Sequence, residues 1–156
     1  RIATATGRTR EGAAEAILML REHGYLTIVI TNQSGVARNI MGERDVEAVN
    51  AELHSRLAAS GALIDAFYYC PHLDSGCSCR KPLPGMIHRA LDDYEIDLAR
   101  SVVIGDRATD IGVAHAVGIP GILISGEQYA YAGVEPAYRA RSVLDAARWT
   151  VGRVRV

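Results

Sequence analysis

Cys70-Pro71-His72-Leu73-Asp74-Ser75-Gly76-Cys77-Ser78-Cys79-Arg80-Lys81-Pro82 holds every cysteine of the chain and its only lysine. The pattern C-x-H-x4-C-x-C gathers three thiols and one imidazole within ten residues, with Gly76 placed to let the loop turn back. Two thiolates and an imidazole suit a borderline-soft ion, and the further sulfur completes a closed tetrahedron with no position for water. Zinc is favoured by geometry and availability, with iron second. Two plainer readings stay open: a disulfide that leaves one odd thiol, and reduced cysteines in an ordinary turn. A site closed by four protein ligands is structural rather than catalytic. Its expected role is to hold Arg80 and Lys81, two cations just beyond the last ligand, in a fixed direction.

Outward from this loop the chain alternates between strand and helix patterns. Upstream, Glu11 to His23 reads as a helix with Ala13, Ile17 and Leu20 on one side and Gly24 as its stop. Tyr25-Leu26-Thr27-Ile28-Val29-Ile30 is too apolar for a strand with one wet face and reads as a buried parallel strand. It ends in Thr31-Asn32-Gln33-Ser34-Gly35, where open α/β sheets place their ligands, and such hydroxyl, amide and backbone N-H groups can hold an anion. By itself such a turn is weak evidence. A helix from about Glu43 to Ser60 follows, with Val46, Val49, Leu53 and Leu57 as its inward stripe. Ala66 to Tyr69 then forms a short strand that delivers the chain into the loop.

Downstream, Pro84 opens a helix to about Tyr94, with Ile87, Leu91 and Tyr94 as its stripe. Ser101 to Gly105 makes another strand, which runs into Asp106-Arg107-Ala108-Thr109-Asp110. Carboxylates four residues apart at a strand end suit a hard cation such as magnesium, which keeps several waters and meets a substrate phosphate. Plain helix capping by Thr109 or Asp110 competes with that reading. Ile122 to Ile124 is a fourth strand after the main cluster of motifs, Gly126 to Glu135 a looser connection, and Ser142 with Asp145 a capping box for a last helix through Trp149. The alternation implies a parallel sheet covered on both sides.

The composition is consistent with one domain. At 156 residues and 16.8 kDa the chain can bury roughly two-thirds of its unfolded surface in a single core. A formal charge of -1 gives no electrostatic case for nucleic acid, and no run of 18 apolar residues, leader pattern or lipidation signal points to a membrane. A thiolate metal site suggests a reducing, cytoplasmic setting. The sequence begins with arginine, as a start inside a longer polypeptide would.

The motifs TNQSG, CPH, CxCRKP and GDRxxD, in this order, resemble the haloacid dehalogenase (HAD) superfamily of phosphohydrolases. Within it they are similar to the small zinc-loop branch that includes D-glycero-D-manno-heptose 1,7-bisphosphate phosphatase and histidinol-phosphate phosphatase. The resemblance covers about Ala13 to Val151 and implies an α/β, Rossmannoid three-layer sandwich with a mostly parallel sheet and a zinc-binding loop. It implies zinc on Cys70, His72, Cys77 and Cys79. Thr31 and Asn32 would hold the transferred phosphate, and Lys81 would neutralise phosphate and nucleophile. Asp106 would bind magnesium, with Asp110 as the second acid of that motif. Gln33, Ser34, Arg80 and Arg107 would meet the substrate; Arg107 stands where the branch usually has lysine, which keeps the charge and changes the donor geometry.

One motif is missing. Family members begin with a strand ending D-x-D-G-T, whose first aspartate is the covalent nucleophile and whose second is the general acid and base; no such motif occurs here. Thr4-Ala5-Thr6-Gly7 is the nearest local candidate and offers no carboxylate, so a single HAD-like domain over residues 1–156 with a truncated or degenerate N-terminal part is expected. Threonine cannot replace an aspartate that must attack phosphorus. The resemblance therefore implies a magnesium-dependent phosphatase of small phosphorylated sugars or metabolites, of the heptose 1,7-bisphosphate type, impaired as written. A non-catalytic phosphate-binding or partner-binding relative and a histidinol-phosphate phosphatase are the alternatives, with a small phosphorylated metabolite or phosphate as partner. A monomer is expected, as is common in the branch.

Overall fold

The computed structural model describes residues 12–32, 42–72, 76–124 and 135–153. In chain order the elements are α1 (Ala13–Glu22), β1 (Ile28–Asn32), α2 (Glu43–Ala58), β2 (Ala66–Cys70), α3 (Gly85–Asp93), a 3-10 turn (Leu98–Arg100), β3 (Val103–Gly105), α4 (Ala108–Ala116), β4 (Gly121–Ile124), β5 (Tyr138–Ala140) and α5 (Val143–Gly152). Every strand pairing among the described residues is parallel: β1 with β2, and β3 with β4 with β5.

Alternating side chains show how helices cover both groups of strands. Ile28 and Ile30 of β1 share one apolar cluster with Val103 of β3, Met86, Ile87 and Ala90 of α3, and Val113 and Ala114 of α4. On the opposite face Val29 of β1 meets Ile17 of α1 with Leu53 and Leu57 of α2, while Ile104 and Ile122 meet Ala16 and Leu20 of α1 and Ala146 and Ala147 of α5. So α3 and α4 lie on one face, and α1, α2 and α5 on the other. The two strand groups form halves of one three-layer α/β sandwich, as period-two burial in parallel strands requires.

The β1–β2 register brings Thr31 opposite Tyr69 and Asn32 opposite Cys70. Asp65 sets the start of this pairing, accepting the Thr27 N-H at 2.7 Å on its carboxylate and donating its own N-H to the Thr27 carbonyl at 2.8 Å. As a result the polar end of β1 and the first candidate metal ligand emerge side by side.

Several expectations shift. The first buried strand starts at Ile28 rather than Tyr25 and runs on through Thr31 and Asn32, which are strand residues rather than turn. The α2 stripe is corrected at Val49, which is 43% exposed, while Leu53 and Leu57 are buried and carry the contact with the core among the described side chains; the Val46 side chain lies outside them. Ser142 caps α5, its Oγ accepting the Asp145 N-H at 3.0 Å, but the Asp145 carboxylate returns to the Arg141 N-H rather than to Ser142. The segment Ile2 to Thr6 lies outside the described residues. Among the described residues no helix is long and apolar enough to cross a membrane.

Candidate functional site

Two groups of polar side chains occupy the C-terminal ends of the strands. The first is the metal loop. Cys70 closes β2, and the loop returns so that one donor atom from each of Cys70, His72, Cys77 and Cys79 lies within 4.8 Å of every other. All three cysteines are free. His72 Nδ1 stands 3.4 Å from Cys70 Sγ and 3.2 Å from Cys79 Sγ, so Nδ1 is the nitrogen turned inward. Cys70 and Cys77 sulfurs are 3.7 Å apart, close to the edge of about 3.8 Å that ~2.3 Å metal-sulfur bonds give a tetrahedron. The Cys70–Cys79 edge, at 2.7 Å, is shorter. The donor set and its convergence fit a closed, thiolate-rich ion site.

The thiols' acidities differ for physical reasons. Cys77 is lowered to about 7, chiefly because the Arg80 backbone N-H stabilises its thiolate, while burial first of all pushes Cys79 up to about 12. A cation between them would remove that conflict by deprotonating the ligands outright.

Helix α3 seats the loop. Its first N-H groups need acceptors, and Gly85 finds one in the Ser78 carbonyl at 2.8 Å. A Cβ at Gly85 would collide with that carbonyl oxygen and lie 2.9 Å from Cys79 Cα. Only glycine allows this approach. The Lys81–Pro82 peptide leading into α3 is cis.

The second group is built around Lys81, which is 5% exposed. Its backbone N-H donates to Asn32 Oδ1 at 2.9 Å, and its carbonyl accepts from Asn32 Nδ2 at 3.3 Å. Its ammonium meets Asp110 Oδ1 at 2.5 Å, with both side chains almost wholly buried. The other oxygen of Asp110 accepts the Arg107 N-H at 3.1 Å, at the start of α4. Gly105 makes room for this carboxylate, since a Cβ there would overlap it. Asp110 therefore acts as the buried counter-ion of Lys81. A sequence pattern alone could not distinguish that role from metal ligation.

The remaining sequence-derived residues fall around this pair. Thr31 is nearly buried beside Asn32 at the end of β1. Asp106 follows Gly105 at the end of β3 and is half-buried, with its Oδ1 inside. Arg107 is exposed at the N-cap of α4. Arg80 is half-exposed, its Nη1 donating to the His72 carbonyl at 3.0 Å. Gln33 and Ser34 lie outside the described residues. Sequence reasoning missed the close approaches at Gly85 and Gly105 and the His72 carbonyl; a glycine directly before an aspartate, and one directly after Pro84, were the available signals.

The geometry can be set beside known proteins. The HAD-hydrolase-like family matches residues 78–148. The chain is 43% identical over 128 residues to the D-glycero-beta-D-manno-heptose-1,7-bisphosphate 7-phosphatase of Rhodopseudomonas palustris, a match covering 77% of this chain and 71% of that protein. The chain belongs to the HAD-like hydrolase family. The enzyme of the same name from Vibrio cholerae is 39% identical, over 70% of this chain and 63% of that one, so the chain spans about two-thirds of these relatives. The crystal structure of D,D-heptose 1,7-bisphosphate phosphatase from Bordetella bronchiseptica, complexed with magnesium and phosphate, superposes with a TM-score of 0.86 at 27% identity, covering 98% of each chain. In this HAD-like chain the metal loop and the Lys81 cluster share the strand-end edge where α/β folds hold ligands.

Proposed function

We propose that this chain binds a small phosphorylated sugar, of the heptose 1,7-bisphosphate type, through its phosphate, and that it carries the scaffold of a magnesium-dependent phosphatase without the family's nucleophile. The observation that carries the reading is the buried Lys81 at the strand ends, its backbone N-H and carbonyl bonded to the Asn32 side chain and its ammonium paired with Asp110. An ammonium has three donors, and Asp110 takes one. A phosphate oxygen entering this cleft would meet a preorganised positive charge in a poorly solvated setting, where such charge acts most strongly on an anion.

Thr31 and Asn32 are assigned to phosphate contact. Gln33, Ser34, Arg80 and Arg107 are assigned to the rest of the ester. Asp106 would hold magnesium, which supplies charge neutralisation at the phosphate, with Asp110 as the second acid of that region, its oxygens also accepting from Lys81 and the Arg107 N-H. Cys70, His72, Cys77 and Cys79 would hold structural zinc. The residues assigned here provide binding and orientation; the family's attacking aspartate belongs to a D-x-D-G-T motif that the 156 residues do not contain.

Titration with inorganic phosphate followed by calorimetry tests the cleft. Lys81→Met is expected to weaken binding at least about tenfold, the worth of one charge-assisted contact. Unchanged affinity would mean that phosphate does not meet Lys81.

A further inference from the structure

We propose that Asn32 is the positioning residue for Lys81: its side-chain amide clamps the Lys81 backbone in both directions and so fixes the root of the side chain whose ammonium meets the phosphate. The inference rests on the cleft being a phosphate site, and it adds to the contact assigned to Asn32 there a role that runs through Lys81.

Asn32 ends β1, where its own backbone stands opposite Cys70 in the ladder. Its side chain reaches a residue 49 positions further along the chain: Oδ1 accepts the Lys81 N-H at 2.9 Å, and Nδ2 donates to the Lys81 carbonyl at 3.3 Å. Two residues that face each other as a hydrogen-bonded pair in antiparallel strands exchange the same two bonds. Lys81 belongs to no strand or helix among the described residues, so the amide does for it what a neighbouring strand would do. Nδ2 carries a second N-H, so the clamp and the assigned phosphate contact fit on one side chain.

The clamp matters because of the length of lysine. An ammonium on a flexible four-carbon stem takes a fixed direction only when both ends of the stem are held. Asp110 holds the tip, in a pair whose side chains are 4% and 0% exposed. Asn32 holds the root. With both fixed, the two donors that Asp110 leaves to the ammonium keep one orientation, ready for an anion. With the root released, the ammonium follows its buried carboxylate partner and no longer presents those donors to the cleft.

The test separates a role through Lys81 from a direct contact. Phosphate affinity is measured for the unmodified protein, Asn32→Ala, Lys81→Met and the double variant. Asn32→Ala is expected to weaken binding about tenfold in the unmodified background and less than about threefold beside Lys81→Met, because residues that act as a unit are not additive. The same factor in both backgrounds, or no loss in the first, overturns the proposal. A second measurement needs no variant. Lys81 is the only lysine, so protein labelled with 15N-lysine shows one backbone amide, the one that Oδ1 accepts. Its hydrogen exchange is expected to be slower than that of an open chain by at least about tenfold. Exchange at the open-chain rate overturns the clamp even if Asn32→Ala does not fold. If the unmodified protein binds no phosphate, the cleft reading fails, whereas the exchange rate still decides whether Asn32 holds Lys81.

Discussion

Gly85 presents the loop's geometry at its smallest scale. An added methyl group would stand 2.6 Å from the Ser78 carbonyl carbon and 2.9 Å from Cys79 Cα, and both are backbone atoms that cannot rotate away. Gly85→Ala must therefore displace the Cys77-Ser78-Cys79 turn. Metal analysis of purified Gly85→Ala is expected to fall well below one equivalent, whereas Gly152→Ala, where nothing lies within 4 Å of the new atom, should keep its metal. Asp110 gives the complementary case in the cleft. Asp110→Ala strands the buried Lys81 charge, and urea unfolding should show a loss of about 3–5 kcal/mol, the usual cost of breaking a buried pair from one side. The four metal-loop residues were legible in the sequence because soft ligands at that spacing have few other uses. The pairing of Asp110 with Lys81 was not, since a carboxylate four residues after another suits a cation as well as a lysine, and the buried contact between them comes from tertiary packing.

Elements show the same division between local pattern and tertiary context. The α5 start was legible from Ser142 and Asp145, and its electrostatics make a pH prediction. Asp145 accepts the Arg141 N-H at 2.9 Å and the Tyr138 hydroxyl at 3.1 Å, and chiefly the first of these holds its carboxyl below the ordinary carboxylate range. A depressed folded value means that the contribution is fully present above the ordinary carboxyl value of about 4 and is lost as pH falls through the lower folded value. Asp145→Asn should therefore flatten the acid side of a melting-temperature profile between these values and leave the neutral-to-alkaline slope unchanged. The group lies at the surface, half-buried, where solvent screens it, so the effect is small. By contrast β5 was not legible: Tyr138-Arg139-Ala140 has only three residues, and its strand state comes from pairing with Ile122 to Ile124 and from the stacking of Tyr138 on Trp149 at 5.3 Å. Val49 misled for a similar reason, because helical periodicity gives a face but not how far along the helix that face meets the core.

For the whole molecule the decisive relation is that of β1 to β3. These strands share one cluster with α3 and α4, and on the other face each packs on α1, yet among the described residues they belong to separate hydrogen-bonded groups. In the family's 5-4-1-2-3 order the nucleophile strand joins two such halves, and strands on either side of an unfilled slot would carry unsatisfied N-H and C=O groups. From the sequence alone, Ile2 to Thr6 is the segment expected at that position in a single domain over residues 1–156, with Thr4 or Thr6 near the family's aspartate, and it lies outside the described residues. The unmodified chain should then show no magnesium-dependent release of phosphate from heptose 1,7-bisphosphate or histidinol phosphate. Replacing Thr4→Asp and Thr6→Asp together writes D-A-D-G into the sequence and should create measurable turnover that Lys81→Met abolishes. Should the double variant stay inactive while a chain extended upstream by a D-x-D-G-T strand turns over, the slot is filled by that upstream segment and not by Ile2 to Thr6. Robust turnover by the unmodified 156-residue chain would overturn the inactive reading altogether and require a nucleophile other than the family's aspartate.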